Sequence, residues 1–178
     1  VSFLKLWGVF VEYRDVLLTG ITVTVLLSIA AMLLAVVMGL VACLGTLSRS
    51  RLVRAPAILY VEFCRNTPVL VQILWFYFAL PILLPVEIGP FTAAALGISL
   101  NSAAYSAEIY RGGIQSIEPG QWEAARAIGM SGAQTLRRIV LPQAVRRILP
   151  ALTNRGIEIC KMTTLASVVA YPELVQQG

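Results

Sequence analysis

The chain has 178 residues, 58% of them hydrophobic and only 13% charged, whereas roughly a quarter of the residues in a soluble domain carry charge. Its net charge of +5 does not argue for nucleic acid, because eight of the fourteen basic residues fall in two short stretches, 49–54 and 126–147, between apolar runs. That distribution is the signature of membrane topology, and backbone groups in lipid must bond within their own segment, so the expected fold is all-α.

Residues 1–15 mix Phe3, Leu6, Trp7, Val9 and Phe10 with Lys5, Glu12, Arg14 and Asp15, and read as an interfacial lead-in with balanced charge. No basic n-region leads into a small-residue cleavage site, so no secretory signal is expected. From Val16 to Ser48 no charged residue occurs, a run longer than the roughly 20 apolar residues that cross a hydrocarbon core. A first membrane helix is expected over about 17–47. The basic cluster Arg49, Arg51 and Arg54 follows. After Pro56 a second helix is expected over about 57–80, closed by Pro81 and Pro85, and a third over about 91–112, behind Gly89 and Pro90. The 81–90 loop holds Glu87 and no Lys or Arg. The positive-inside rule therefore puts both arginine-bearing stretches in the cytoplasm, and the 81–90 loop and the N-terminus outside. From Ile148 the chain is apolar again, although Arg155, Glu158 and Lys161 interrupt it, and a fourth helix, continuous or broken, is expected over about 148–171. The three cysteines, Cys43, Cys64 and Cys160, stand alone, and without histidine they form no metal set. Residues 1–178 thus read as a single transmembrane domain with no internal repeat.

The polar interruption at about 114–145 is the most informative segment. Pro119-Gly120 breaks the incoming chain, QWEAARAI favours helix, and Gly129 can supply the left-handed residue that ends it. Ser131 and Gln134 form an S-x-x-Q capping box for a second helix, with Pro142 and Pro150 limiting its run. The segment reads as a cytoplasmic two-helix knob. Small Ala124 and Ala125 would admit a close partner surface, with Glu123, Arg126, Arg137 and Arg138 at the rim. A plain amphipathic element on anionic lipid is the other reading of the charge alone. No nucleophile, base and orienter are grouped here, so no catalytic site is expected.

The order Glu123-Ala124-Ala125, then Gly129, then Ile139-x-Leu141-Pro142 resembles the EAA loop of ABC importer membrane subunits. The words Phe63-Cys64-Arg65-Asn66-Thr67-Pro68, the stretch from Ser99 to Ile117, and Lys161-x-Thr163-Thr164-Leu165-Ala166-Ser167-Val168 are similar to the polar amino acid permeases of histidine, glutamine, arginine and opine-type uptake systems. The resemblance runs from about residue 16 to 175. It implies a type I importer bundle of five membrane helices, four of them in this chain and the fifth expected after Gly178. It also implies a bacterial inner-membrane location, a second permease subunit, identical or homologous, two cytoplasmic ATP-binding subunits, and an extracytoplasmic solute-binding protein. Glu123, Ala124, Ala125, Gly129, Ile139, Leu141 and Pro142 would contact the ATPase. The sequence holds no GxxxxGK[ST] loop, so ATP and magnesium are expected on the partner, and the chain itself is not expected to be an enzyme. Asn66 stands where the family usually has glycine, and Met162 where an acidic or small polar residue is common.

Charges within a membrane helix mark function by default. Arg155, Glu158 and Lys161 recur three residues apart, so Glu158 can pair with either neighbour. The three form a self-neutralised structural triad or line a water-filled seam, or else Glu158 and Lys161 belong to a solute pathway with Asn154, Thr163, Thr164 and Ser167, which offers partners for an ammonium and a carboxylate. Asn101 and Tyr105, one turn apart, face that pathway or bond to a neighbouring helix. Glu62 with Arg65, and Glu108 with Arg111, are snorkelled pairs or a cytoplasmic gate. A rival reading from another class is a secondary transporter or channel driven by an ion gradient.

Overall fold

The computed structural model describes residues 14–166, 168 and 169. Among them every regular element is helical. Helix α1 spans Arg14–Thr46, α2 Arg51–Asn66, α3 Val69–Leu83 and α4 Pro90–Gln115. Helix α5 spans Pro119–Ala127 and α6 Gly132–Thr135, which passes through a π turn, Leu136–Val140, into α7, Leu141–Met162. A 3₁₀ turn, Thr163–Ala166, ends α7. By length and composition, one described helix can cross a membrane by itself, over Leu18–Thr46, and the bent pair α2–α3 is a second if counted as one span.

Small residues decide how the bundle packs. On α1 the buried positions Leu27, Ala31, Ala35, Gly39 and Ala42-Cys43 recur every three or four residues, a stripe facing α4. Most of the remaining large side chains of α1, such as Leu33 at 63% and Val41 at 66% exposure, point outward. That surface suits lipid rather than water. Helix α4 is the central element, in contact with α1, α2, α3 and α7. Its Ala93, Ala94, Gly97, Ser99, Ser102, Ala103, Ala104, Ser106 and Ala107 are all buried. Side chains this short let four neighbours approach its backbone, the device by which helices associate where lipid is as apolar as leucine. Tyr110 of α4 donates to the Val36 carbonyl of α1 at 3.3 Å, and Tyr60 of α2 to the Leu100 carbonyl at 2.7 Å.

Several boundaries differ from the sequence reading: α2 already starts at Arg51 and runs through Pro56, and α7 gives way to a 3₁₀ turn after Met162. The single helix expected over 57–80 is two helices meeting at 107°. Pro68 has no N–H and drives Thr67 into an extended conformation, φ −104° and ψ 127°. The Cys64 carbonyl, four residues back, thereby loses its helical donor and accepts instead from the side chains of Gln72 and Asn101, each at 2.9 Å. Pro81 does not close α3, which continues to Leu83. Nor does the knob end near 145, because α7 already begins at Leu141 rather than 148. In both places the proline stands two residues after a π turn, Trp75–Ala79 before Pro81 and Leu136–Val140 before Pro142. A proline that cannot donate to the fourth carbonyl back, and whose ring presses on it, is accommodated by widening that turn.

Candidate functional site

The knob is built by local signals. Helix α5 ends in a Schellman arrangement: Gly129 adopts φ +77°, its N–H donates to the Arg126 carbonyl at 3.0 Å, and the Met130 N–H donates to the Ala125 carbonyl at 3.0 Å. Both halves of the capping box form, Ser131 N–H to Gln134 Oε1 at 2.9 Å and Gln134 N–H to Ser131 Oγ at 3.3 Å. Removing that cap with Ser131→Ala is expected to cost about 1 kcal/mol. The loss would appear as faster protease cleavage at the knob, with the rest of the bundle unaffected.

The knob is also fastened to the bundle. Buried Ile117 joins Val140, Ala144 and Ile148 in one apolar cluster, against which half-buried Trp122 packs. Gln143 donates to Gln121 Oε1 at 3.3 Å, and Arg147 donates to the Ser116 carbonyl at the end of α4. Glu123, Ala124, Gly129, Leu141 and Pro142 are exposed, and Ile139 is half-buried. Ala125 is not available to a partner: at 1% exposure it is buried within the knob, and its small size serves internal packing. Beside it, Ile117, Trp122, Glu123 and Arg126 help line a hollow of about 310 Å³.

A second constellation lies where the α2–α3 bend meets α4 and α7. Arg155, only 5% exposed, donates from Nη1 to Glu158 Oε2 at 2.8 Å, and from Nη2 to Asn101 Oδ1 at 3.0 Å and Ser102 Oγ at 3.1 Å. Its guanidinium lies over the Tyr105 ring, 4.3 Å from the centroid. The Arg65 guanidinium lies over the same ring at 5.5 Å, and the Tyr105 hydroxyl donates to the Arg65 carbonyl at 3.4 Å. Arg65 then reaches Glu108 at 3.4 Å, and Glu108 also holds Arg111 at 2.6 Å. Charged and aromatic groups therefore link α7, α4 and α2 in one chain.

Among the pairings left open by sequence, the structure selects particular ones. Glu158 pairs with Arg155 rather than Lys161. Arg65 crosses to Glu108 rather than pairing with Glu62, whose carboxylate accepts from Asn66 at 3.3 Å. Asn101 and Tyr105 bond to the Cys64 and Arg65 carbonyls of α2, and both also contact Arg155. Asn154, Lys161 and Thr164 are exposed, whereas Thr163 is buried at the end of α7 and donates to the Cys160 carbonyl at 2.8 Å. Ser167 lies outside the described residues. The sequence reading left Arg155 and Ser102 out of the candidate site. The spacing to Glu158 was the available signal, but its partners on α4 lie more than fifty residues earlier.

Comparison with known proteins places this architecture. Residues 31–177 match the family described as binding-protein-dependent transport system inner membrane component. The chain is 43% identical over 168 residues to a protein of Bacillus subtilis (strain 168) named probable amino-acid ABC transporter permease protein YckA, covering 94% of this chain and 74% of that one. It is 38% identical over 173 residues to the glutamine transport system permease protein GlnP of Escherichia coli (strain K12), covering 97% and 79% respectively. A solved structure described as an amino acid ABC transporter with histidines superposes with a TM-score of 0.87 at 38% identity, over 99% of this chain and 80% of that one. A methionine ABC transporter, MetNI, shares the fold at a TM-score of 0.72 and 21% identity, over 89% and 76%. The chain belongs to the family of binding-protein-dependent transport system inner membrane components, among its amino-acid ABC importer permeases.

Proposed function

We propose that residues 1–178 form one transmembrane permease unit that carries a polar or charged amino acid across the bacterial inner membrane by alternating access. Four membrane segments lie in this chain, the N-terminus faces outward, and the Glu123–Pro142 knob couples it to two cytoplasmic ATP-binding subunits. ATP and magnesium bind to those partners. A second permease subunit completes the pathway, and a solute-binding protein delivers the amino acid at the outer face. The relatives named for amino-acid and glutamine transport support this solute class.

The observation that carries the reading is continuity. The capping box at Ser131 opens a helical rod that runs without a break through α6, the π turn and α7 to Arg155 and Glu158. At 1.5 Å per residue, that spans roughly 36 Å from the knob to the buried charges. A packed helix moves as a body, so displacement of the knob by a closing partner reaches the charged centre directly. The candidate ATPase contacts are Glu123, Ala124, Gly129, Ile139, Leu141 and Pro142, with Ala125 supporting them from inside. The candidate solute-pathway residues are Glu158, Asn101 and Tyr105, together with Asn154, Lys161, Thr163, Thr164 and Ser167.

The test is amino-acid uptake into proteoliposomes holding the permease with its partner subunits. Uptake should require internal ATP and survive collapse of the ion gradients. Uptake that follows the membrane potential without ATP would instead identify an ion-driven transporter.

Within the same assay, Gly129→Val is expected to weaken coupling. A β-branched side chain at φ +77° costs about 1–2 kcal/mol of local strain, which re-aims α5. The ratio of solute carried to ATP hydrolysed should fall, and an unchanged ratio would show that the turn geometry is dispensable.

A further inference from the structure

We propose that Arg155 is the positioning residue of the solute pathway: one guanidinium fixes the Glu158 carboxylate and the Asn101 side chain, and so sets the preference between cationic and neutral amino acids. This rests on the reading of the chain as an amino-acid permease whose solute passes Glu158.

The Arg155–Glu158 pair is asymmetric. The arginine side chain is 6% exposed and the glutamate side chain 55%. An accessible carboxylate is therefore backed by a buried cation. A solute meeting Glu158 sees a charge already partly compensated, and its own ammonium or guanidinium gains less from that carboxylate than it would from an unpaired one. Removing the compensation favours a solute with an extra positive charge over a neutral one.

The same guanidinium fixes the Asn101 amide. Its Oδ1 accepts from Arg155 and its Nδ2 donates to the Cys64 carbonyl. Because an arginine only donates and a carbonyl only accepts, the amide has one orientation consistent with both bonds. Only a planar fork reaches Glu158, Asn101 and Ser102 while also lying on the Tyr105 face, which an ammonium point charge cannot reproduce. Arg155 Nε is buried with no partner among the described residues. An arginine kept only to hold helices together would be expected to satisfy every buried donor, or to be replaced by apolar packing at no cost.

The test titrates the purified permease complex with arginine, as a cationic probe, and glutamine, as a neutral one. In Arg155→Met the ratio of the two affinities should shift toward arginine by about tenfold, the scale of one charge-assisted interaction. In Arg155→Lys the ratio should stay within about threefold of the native value while both affinities fall, because charge is kept and the fork is lost. A proportionate change for both probes in Arg155→Met, or native affinities in Arg155→Lys, overturns the proposal. If Arg155→Met does not assemble, the lysine variant decides. Glu158→Gln separates the layers. A ratio that moves in Glu158→Gln but not in Arg155→Met refutes the positioning role alone, whereas affinities untouched by Glu158→Gln refute the pathway reading beneath it.

Discussion

Arginine in place of Glu123 is expected to lower ATP-driven solute uptake by more than about tenfold while leaving the permease inserted and folded. Glu123 is exposed on α5, and its neighbours along the knob, Arg126, Arg137 and Arg138, are exposed and basic. Apart from Glu118 at the head of α5, it is the acidic residue among these basic neighbours. A partner complementary to this surface must present a positive or donor group to Glu123, and reversal sets like charges against each other at several kcal/mol. No packing is lost, because the side chain already points outward. The defect should therefore sit in coupling and not in stability. Uptake and ATP hydrolysis are measured together in proteoliposomes: hydrolysis should lose its dependence on solute while the thermal transition of the permease stays in place. Native uptake by this variant would remove Glu123 from the interface. An equal fall in the thermal transition would assign it a structural role instead.

The parts of this protein that sequence makes legible are those fixed within a few residues. The Gly129 turn and the Ser131–Gln134 cap were readable because left-handed backbone and an unpaired helical N–H each demand a particular residue type at a particular offset. The apolar α1 was readable from length alone. Prolines misled in both directions. Pro81 and Pro142 look like helix ends but are absorbed by the preceding π turns, whereas Thr67-Pro68, inside the stretch expected as one helix, is the actual bend. What separates them is tertiary. At Pro68 the carbonyl left without a donor is served by Gln72 and by Asn101 from another helix, so the bend is stabilised. That service cannot be seen from local pattern. The same limit applies to the charges. Spacing made Glu62–Arg65 and Glu158–Lys161 as plausible as the contacts that form, and only the placement of α4 between α2 and α7 selects Arg65–Glu108 and Arg155–Asn101.

The central position of α4 makes Gly39 the most sensitive small residue of α1. A Cβ there would stand 2.6 Å from Ser106 Cβ, 2.9 Å from the Ala103 carbonyl oxygen and 3.3 Å from the Ala107 N. Two of these are backbone atoms of a helix packed on every side, so no side-chain rotation relieves the clash, and α1 and α4 must separate. Gly39→Ala is expected to cost about 1–3 kcal/mol by overpacking, and Gly39→Leu to prevent accumulation of folded protein. The separation would also carry Ser106 away from the apolar cavity of about 190 Å³ that Arg155 borders between α1 and α7, so uptake should fall in the alanine variant even where it still folds. Gly20 provides the control, since a Cβ there meets nothing within 4 Å, and Gly20→Ala removes the same backbone freedom from the same helix. Melting of the detergent-solubilised complex should drop for Gly39→Ala and hold or rise for Gly20→Ala. Equal melting of the two would show that helix propensity, and not contact with α4, governs these positions.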